Sequence, residues 1–287
     1  MEMSEDFCVF ILSHGRAGNV ITYNSLQKAG YTGKIVVVVD NEDSTIDEYK
    51  EKFPDVAVFD KVDIAKKFDT GDNFEDRKTI VYARNACFDI ARDLGYRYFL
   101  QLDDDYTYFS YTGISDGLFF HKVVLSFDEI VSAFLEFLKS TNAKTVTFAQ
   151  GGDLLGGKDS SVVTKRIFPF LKRKAMNSFF CDVERPITFV GRINEDVNTY
   201  VLQGLKGDVF LTVPDVMLNQ KTTQSNKGGM TDVYLESGTY LKSFYSVMYC
   251  PSAVKVATMG HKGRRLHHRV CWNNATPKLL REEHKKP

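Results

Sequence analysis

The chain has 287 residues, 43% hydrophobic and 26% charged, with a formal net charge of zero. That is enough for one large domain or two modest ones, and it excludes wholesale disorder and a collagen-like fibre. The longest apolar runs fall far short of the roughly 20 residues that cross a bilayer, no signal-peptide pattern follows the acidic Met1 to Asp6, and the five scattered cysteines make neither a disulfide framework nor a CxxC zinc site. The expectation is a soluble protein of a reducing compartment, cytoplasmic and not secreted, with no membrane partner.

Phe7 to Leu12 reads as a short buried strand that ends in the loop Ser13 to Gly18, and a helix is expected over Val20 to Ala29. Lys34 to Val39, with four valines and an isoleucine, is too β-branched for a comfortable helix and suits a buried parallel strand. Thr45-Ile46-Asp47-Glu48 has the form of a capping box opening a short helix, and Val56 to Phe59 makes a third strand. From Thr79 to Leu94, Ile80, Ala83, Cys87, Ile90, Ala91 and Leu94 recur at helical spacing, and Gly95 stops that helix. Tyr98 to Leu102 is the next strand. Ser126 with Glu129 forms a second capping box for a helix to Lys139, followed by a strand over Thr145 to Phe148. Strand and helix in this alternation predict an α/β domain with a mainly parallel sheet. The second half is less regular, with turn-rich stretches at Gly151 to Gly157 and Lys227 to Gly229, and no repeat or clean boundary divides the chain.

Ligands of such sheets sit beyond the carboxyl ends of the strands. Three features land there: the Ser13 to Gly18 loop, Asp40, and Asp103-Asp104-Asp105. A strand that delivers three carboxylates at its end concentrates negative charge at a cost in self-repulsion. A hard divalent cation, Mg²⁺ or Mn²⁺, would relieve that cost, and such an ion usually also holds substrate phosphate oxygens. Asp103 and Asp105, two apart on an extended chain, point the same way. Two rival readings fail. An aspartyl-phosphate phosphatase would need a downstream GDxxxD, but Gly152-Asp153 is followed by Gly157 at the required position. Neither a GxGxxG dinucleotide fingerprint nor a GxxxxGK[ST] phosphate loop is present.

These strand ends together resemble the GT-A-fold glycosyltransferases that use nucleotide-sugar donors. The resemblance implies a Rossmann-like, mainly parallel sheet flanked by helices, with an elaborated basic C-terminal half. Ser13, His14, Arg16 and Asp40 match its nucleoside-binding positions. Arg84 and Asn85, in Tyr82-Ala83-Arg84-Asn85, match a helix before the metal strand, and Asp103, Asp104 and Asp105 match its DxD. Gly191-Arg192-Ile193-Asn194-Glu195-Asp196-Val197 looks like the acidic element of inverting members, with Glu195 beside a base at Asp196. A C-terminal histidine often completes the metal shell. His261 is the best match, with His267 and His268 as rivals.

Narrower still, Ile11-Leu12-Ser13-His14-Gly15-Arg16 and the segment from Leu266-His267-His268 to Thr276-Pro277-Lys278 resemble the TET-associated glycosyltransferases of tailed bacteriophages. The resemblance covers nearly the whole chain. It implies a single domain over 1–287, with a nucleotide-sugar half (1–150) and an acceptor half (151–287). The implied activity is transfer from a nucleotide-sugar, such as a UDP-sugar, to the hydroxymethyl group of a modified pyrimidine such as 5-hydroxymethylcytosine in DNA.

The charge pattern tolerates that reading. Asp40 to Asp76 holds 13 acids and 5 bases, whereas Pro251 to Pro287 holds 9 Lys and Arg against 2 acids, and Lys165 to Lys174 holds five bases and no acid. Such blocks suggest a polyanion met by one face, with Arg264, Arg265, His267, His268 and Trp272 as acceptor contacts. Tyr106, Tyr108, Phe109 and Tyr111 would stack on a base or join the core. Asp40, at the end of a buried strand, is expected to tolerate alanine with stability nearly unchanged while nucleotide binding weakens. Three alternatives remain: a glycan, lipid or protein acceptor; a nucleotidyltransferase, which also pairs aspartates with metal; and a non-catalytic DNA-binding relative.

Overall fold

The computed structural model describes residues 5–73, 77–115, 118–150, 170–220, 241–259 and 265–285. The turns expected near 151–157 and 227–229, His261 and Arg264 therefore lie outside the described residues.

The first half alternates as its residues dictate. Strand β1 (Phe7–Leu12), helix α1 (Ile21–Lys28), strand β2 (Lys34–Asp40), helix α2 (Ile46–Lys52) and strand β3 (Val56–Phe59) follow one another. A short helix α3 (Lys61–Ala65), helix α4 (Val81–Asp93) and strand β4 (Tyr98–Asp103) complete this half of the sheet. Every residue of β1 is buried, as two-sided coverage of a parallel strand requires. Alternate residues serve opposite faces: Val9 and Ile11 join one core, Cys8 and Phe10 the other. Helix α4 ends where glycine allows it. Gly95 takes a left-handed φ of 80°, and the N–H groups of Gly95 and Tyr96 close back on the carbonyls of Arg92 and Ala91.

Both capping boxes mark helix starts, at α2 and at α5 (Phe127–Thr141), yet neither Thr45 nor Ser126 makes a side-chain cap bond. The Thr45 hydroxyl donates instead to Asp43, at 2.7 Å.

A hairpin, β5 (Tyr106–Ser115) with β6 (Leu118–Val123), springs directly from the aspartates. Strands β7 (Thr145–Gln150), β8 (Ser178–Asp182) and β9 (Phe210–Gln220) and helix α6 (Glu195–Leu205) follow. The result is one nine-stranded sheet in the order β3-β2-β1-β4-β8-β7-β9-β5-β6. Its first four strands are parallel, the expected arrangement. Beyond β4 the sheet is mixed: β8 runs antiparallel to both neighbours, while β7 and β9 pair in parallel. One face is sealed by phenylalanines. Phe148 lies within 6 Å, centroid to centroid, of Phe109, Phe127, Phe134 and Phe180. Truncating a ring so enclosed costs about 3–5 kcal/mol. A separate two-stranded ribbon, β10 (Val254–Met259) and β11 (Arg265–Val270), lies beyond a helix at 241–249. No helix among the described residues is long and apolar enough to cross a membrane.

Candidate active site

Strand β1 sits between β2 and β4, so the chain leaves its carboxyl end at the point where strand order reverses. Side chains bridge both sides of that crevice. Toward β4, Ser13 donates to the Asp104 carboxylate at 2.6 Å, and Arg16 Nη1 reaches its other oxygen at 3.0 Å. Tyr49 completes the knot, accepting from the Arg16 backbone N–H and hydrogen-bonded at 2.7 Å to Ser13. Toward β2, His14 Nδ1 donates to Asp40 at 2.7 Å. The second Asp40 oxygen meets Lys61 Nζ at 3.0 Å, both side chains being about 95% buried. Burial pushes the Asp40 carboxyl up, but the His14 and Lys61 contacts outweigh it and hold the group below its ordinary value.

Local sequence patterning does not reveal Lys61, whose buried pairing with Asp40 runs against the expectation that alanine at position 40 leaves stability nearly unchanged. A carboxylate paired with a buried lysine cannot be removed without stranding that charge, so the position bears on stability. The visible signal was a lysine directly after Phe59-Asp60, where Asp60 caps α3 by accepting from the Asp63 N–H.

The triple aspartate divides its duties. Asp104 is buried and turned toward the β1 loop, whereas Asp103 and Asp105 are partly accessible. Helix α1 knits their turn in place. Thr22 Oγ1 donates to the Asp103 carbonyl and accepts from the Tyr106 N–H, and Ser25 bonds the carbonyls of Tyr106 and Thr107. The Asp103 carboxyl is pushed up to about 7, chiefly by burial; Arg84 opposes this, and the charges of Asp105, Glu195 and Asp104 add to it. Asp103 and Asp105 offer only hard oxygen donors from one strand end. That donor set fits Mg²⁺ or Mn²⁺, with the remaining positions left for water and phosphate oxygens.

Arg84 joins two parts of the chain that lie far apart in sequence. It sits on the buried face of α4 with 1% of its side chain exposed. Its Nη2 donates to Asp103 and its Nε to Glu195, each at 2.9 Å. The guanidinium lies 5.0 Å from the Phe179 ring centre, and Nη1 has no hydrogen-bond partner among the described residues. Asn85, beside it, is spent on main chain: it donates to the Val81 and Phe189 carbonyls and accepts from the Phe189 N–H.

The acidic pair opens α6. Gly191 has a φ of +84°, and a Cβ there would fall 2.2 Å from Asn198 Nδ2, so only glycine brings the chain in at this angle. Asn194, also left-handed, donates at 2.6 Å to the Lys242 carbonyl and lies 3.3 Å from His268 Nδ1. Asp196 is buried, and its Oδ1 accepts from the Val197 N–H at 2.7 Å. Burial and the neighbouring Glu195 push its carboxyl up to about 6, against the pull of Val197, Arg84 and Lys242. A carboxyl poised there can take a proton near neutrality.

Of the acceptor positions, His268 is buried and faces Asn194; burial, with His267, Lys174 and Lys242 nearby, lowers it to about 3. His267 lies on the opposite face of the ribbon. Trp272 stacks on Tyr200 at 5.6 Å, so one face of the indole is already covered. Tyr106 and Phe109 are core, while Tyr108 is 39% exposed. The Arg265 backbone belongs to β11.

Elsewhere, at the opposite end of the sheet, Asp208, Glu283 and His284 come within 4.8 Å of one another. Lys144 and Arg281, each 3.2 Å from one of the acids, already balance that cluster, which fastens the C-terminal segment.

The profile of the family described as TET-Associated Glycosyltransferase matches residues 7–229, more than three quarters of the chain. The match takes in the crevice, the aspartates and the start of α6 and ends before β10, so the C-terminal segment around Leu266 to Lys278 has no part in it. No curated protein matches the chain.

Proposed function

The chain belongs to the TET-associated glycosyltransferases, and on that premise we propose that it transfers a sugar from a nucleotide-sugar, such as a UDP-sugar, to the hydroxymethyl group of a modified pyrimidine in DNA. The observation that supports the reading best is the Arg84 link: it ties Asp103, one of the strand-end carboxylates, to Glu195, the neighbour of a buried carboxyl of raised pKa. Asp103 and Asp105 would hold Mg²⁺ or Mn²⁺, which when bound supplies positive charge to the departing diphosphate. Ser13, His14 and Arg16 line the crevice where the nucleoside belongs, and Asp40 and Asp104 orient them rather than face the ligand.

Asp196 accepts the proton of the acceptor hydroxyl as that oxygen bonds to the anomeric carbon and the bond from that carbon to the diphosphate breaks. Arg84 bonds Asp103 and fixes Glu195, which adds to burial in keeping Asp196 only weakly acidic. The base must leave the duplex stack, or be single-stranded, to reach a buried carboxyl.

A panel of labelled nucleotide sugars, each incubated with hydroxymethylated and unmodified DNA, tests the reading. Label should enter only the hydroxymethylated DNA and only with divalent metal. Label in a glycan, lipid or protein instead would point to another acceptor, and nucleotide incorporation would point to nucleotidyl transfer.

A further inference from the structure

Register in the ribbon decides which basic residues face outward. Lys255 stands directly opposite Arg269, and Ala257 opposite His267, so Lys255, His267 and Arg269 share one face. Val254 and His268 occupy the other face and are buried. Lys255 and Arg269 are both exposed, and neither side chain has an ion pair or hydrogen bond among the described residues. No acid occurs anywhere from residue 241 to residue 281. Like charges directly opposite each other weaken a two-stranded sheet, yet this ribbon sets a lysine against an arginine with no acid paired to either among the described residues.

The inner face ties the ribbon to the reactive end of the molecule. His268 lies 3.3 Å from the Asn194 amide, and Asn194 is the residue before Glu195 and Asp196. Anything held on the outer face is therefore referenced, through a single side chain, to the helix start that carries the base.

We propose that the β10–β11 ribbon docks the phosphate backbone of the DNA acceptor through Lys255, Arg269 and His267. This rests on the reading of DNA as acceptor. Phosphates relieve the repulsion between the facing cations, and a two-stranded ribbon has the width that a groove admits. Lysine and arginine used in this way position the acceptor without reading its sequence. The surface lies outside the span matched by the family and within the basic block from Pro251 to Pro287.

The test is anisotropy of a labelled hydroxymethylated oligonucleotide over a salt series. The Lys255→Gln/Arg269→Gln protein should bind roughly 10- to 100-fold more weakly at 0.1 M salt, and the slope of log affinity against log salt should fall by about two. Lys28→Gln/Lys50→Gln, on exposed helix surface, removes the same charge and should change neither quantity. Lys255→Glu replaces a like pair with an opposite pair, so it should melt no lower than the wild type while binding less DNA; that separates docking from folding. Wild-type affinity and slope in the ribbon variant, with DNA still glycosylated, would overturn the ribbon alone. A wild-type protein that binds no DNA at low salt and glycosylates something else would overturn the acceptor reading with it.

Discussion

The crevice at β1 and the ribbon at β10–β11 both concentrate charge, but they handle it in opposite ways. In the crevice every buried charge has a named partner: Asp40 with Lys61 and His14, Asp104 with Arg16 and Ser13, Arg84 with Asp103 and Glu195. On the ribbon two exposed cations face each other unpaired. Charges that build structure are compensated within the chain, because an isolated buried ion costs several kcal/mol. Charges left open at a surface are available to a ligand. Asp103 and Asp105 stand between these cases, at and just beyond a strand end and both partly accessible, with Arg84 bonded to Asp103.

The largest effect should come from that intermediate case. Excess chelator should abolish transfer, and Asp105→Ala should lower it by about 1,000-fold or more with the melting temperature held, since metal assistance is worth several kcal/mol. Full activity in chelator would remove the distinction drawn between Asp104, which holds a loop, and its two neighbours.

Next is the proton acceptor. Asp196→Asn should lower kcat by about 100- to 10,000-fold while nucleotide affinity, measured by calorimetry, stays unchanged. In the wild type, kcat should fall as pH drops below about 6, where Asp196 is protonated. Burial sets that value, with Glu195 adding to it and Val197, Arg84 and Lys242 opposing it, and a profile flat down to pH 5 would move the base elsewhere.

Lys61→Met probes the compensated network. It leaves Asp40 buried beside His14 alone and should cost about 3–5 kcal/mol in denaturant unfolding. A loss below about 1 kcal/mol would mean that the crevice pairs matter no more than surface pairs do.

How much of this was legible follows from the distance over which each feature is decided. The β1 to β4 half was readable because valine-rich runs, helical spacing and Gly95 are local signals. The capping boxes located two helix starts although neither hydroxyl makes a cap bond, Thr45 turning to Asp43 instead, so position was legible and mechanism was not. Asp103 and Asp105 could be seen at a strand end. The inward turn of Asp104 could not, because it depends on Ser13 and Arg16, 91 and 88 residues away. The Arg84–Glu195 pair spans 111 residues, and nothing in either neighbourhood announces the other. Adjacent histidines 267 and 268 read alike in the sequence; strand pairing alone sends one outward and the other in toward Asn194.

The smallest effect tests that inward placement. His268 has a folded value of about 3, against an ordinary value of 6.5. Above pH 6.5 both folded and unfolded forms are neutral there and nothing is lost. Between 6.5 and 3 only the unfolded chain takes the proton, so stability falls with pH, by roughly 2 kcal/mol at pH 5. Unfolding free energies of the wild type and of His268→Asn, compared at pH 7.5 and pH 5, should differ in pH slope by that amount. Parallel slopes would place His268 in solvent.

The most direct measurement compares sugar transfer to 5-hydroxymethylcytosine in DNA with transfer to the free nucleoside, at equal concentrations and with Mn²⁺ and the preferred donor, by mass spectrometry of digested product. Transfer to DNA should exceed transfer to the nucleoside by at least tenfold at low salt, with the advantage shrinking as salt rises, because the backbone supplies part of the binding. Equal efficiency on both at every salt concentration would contradict the account.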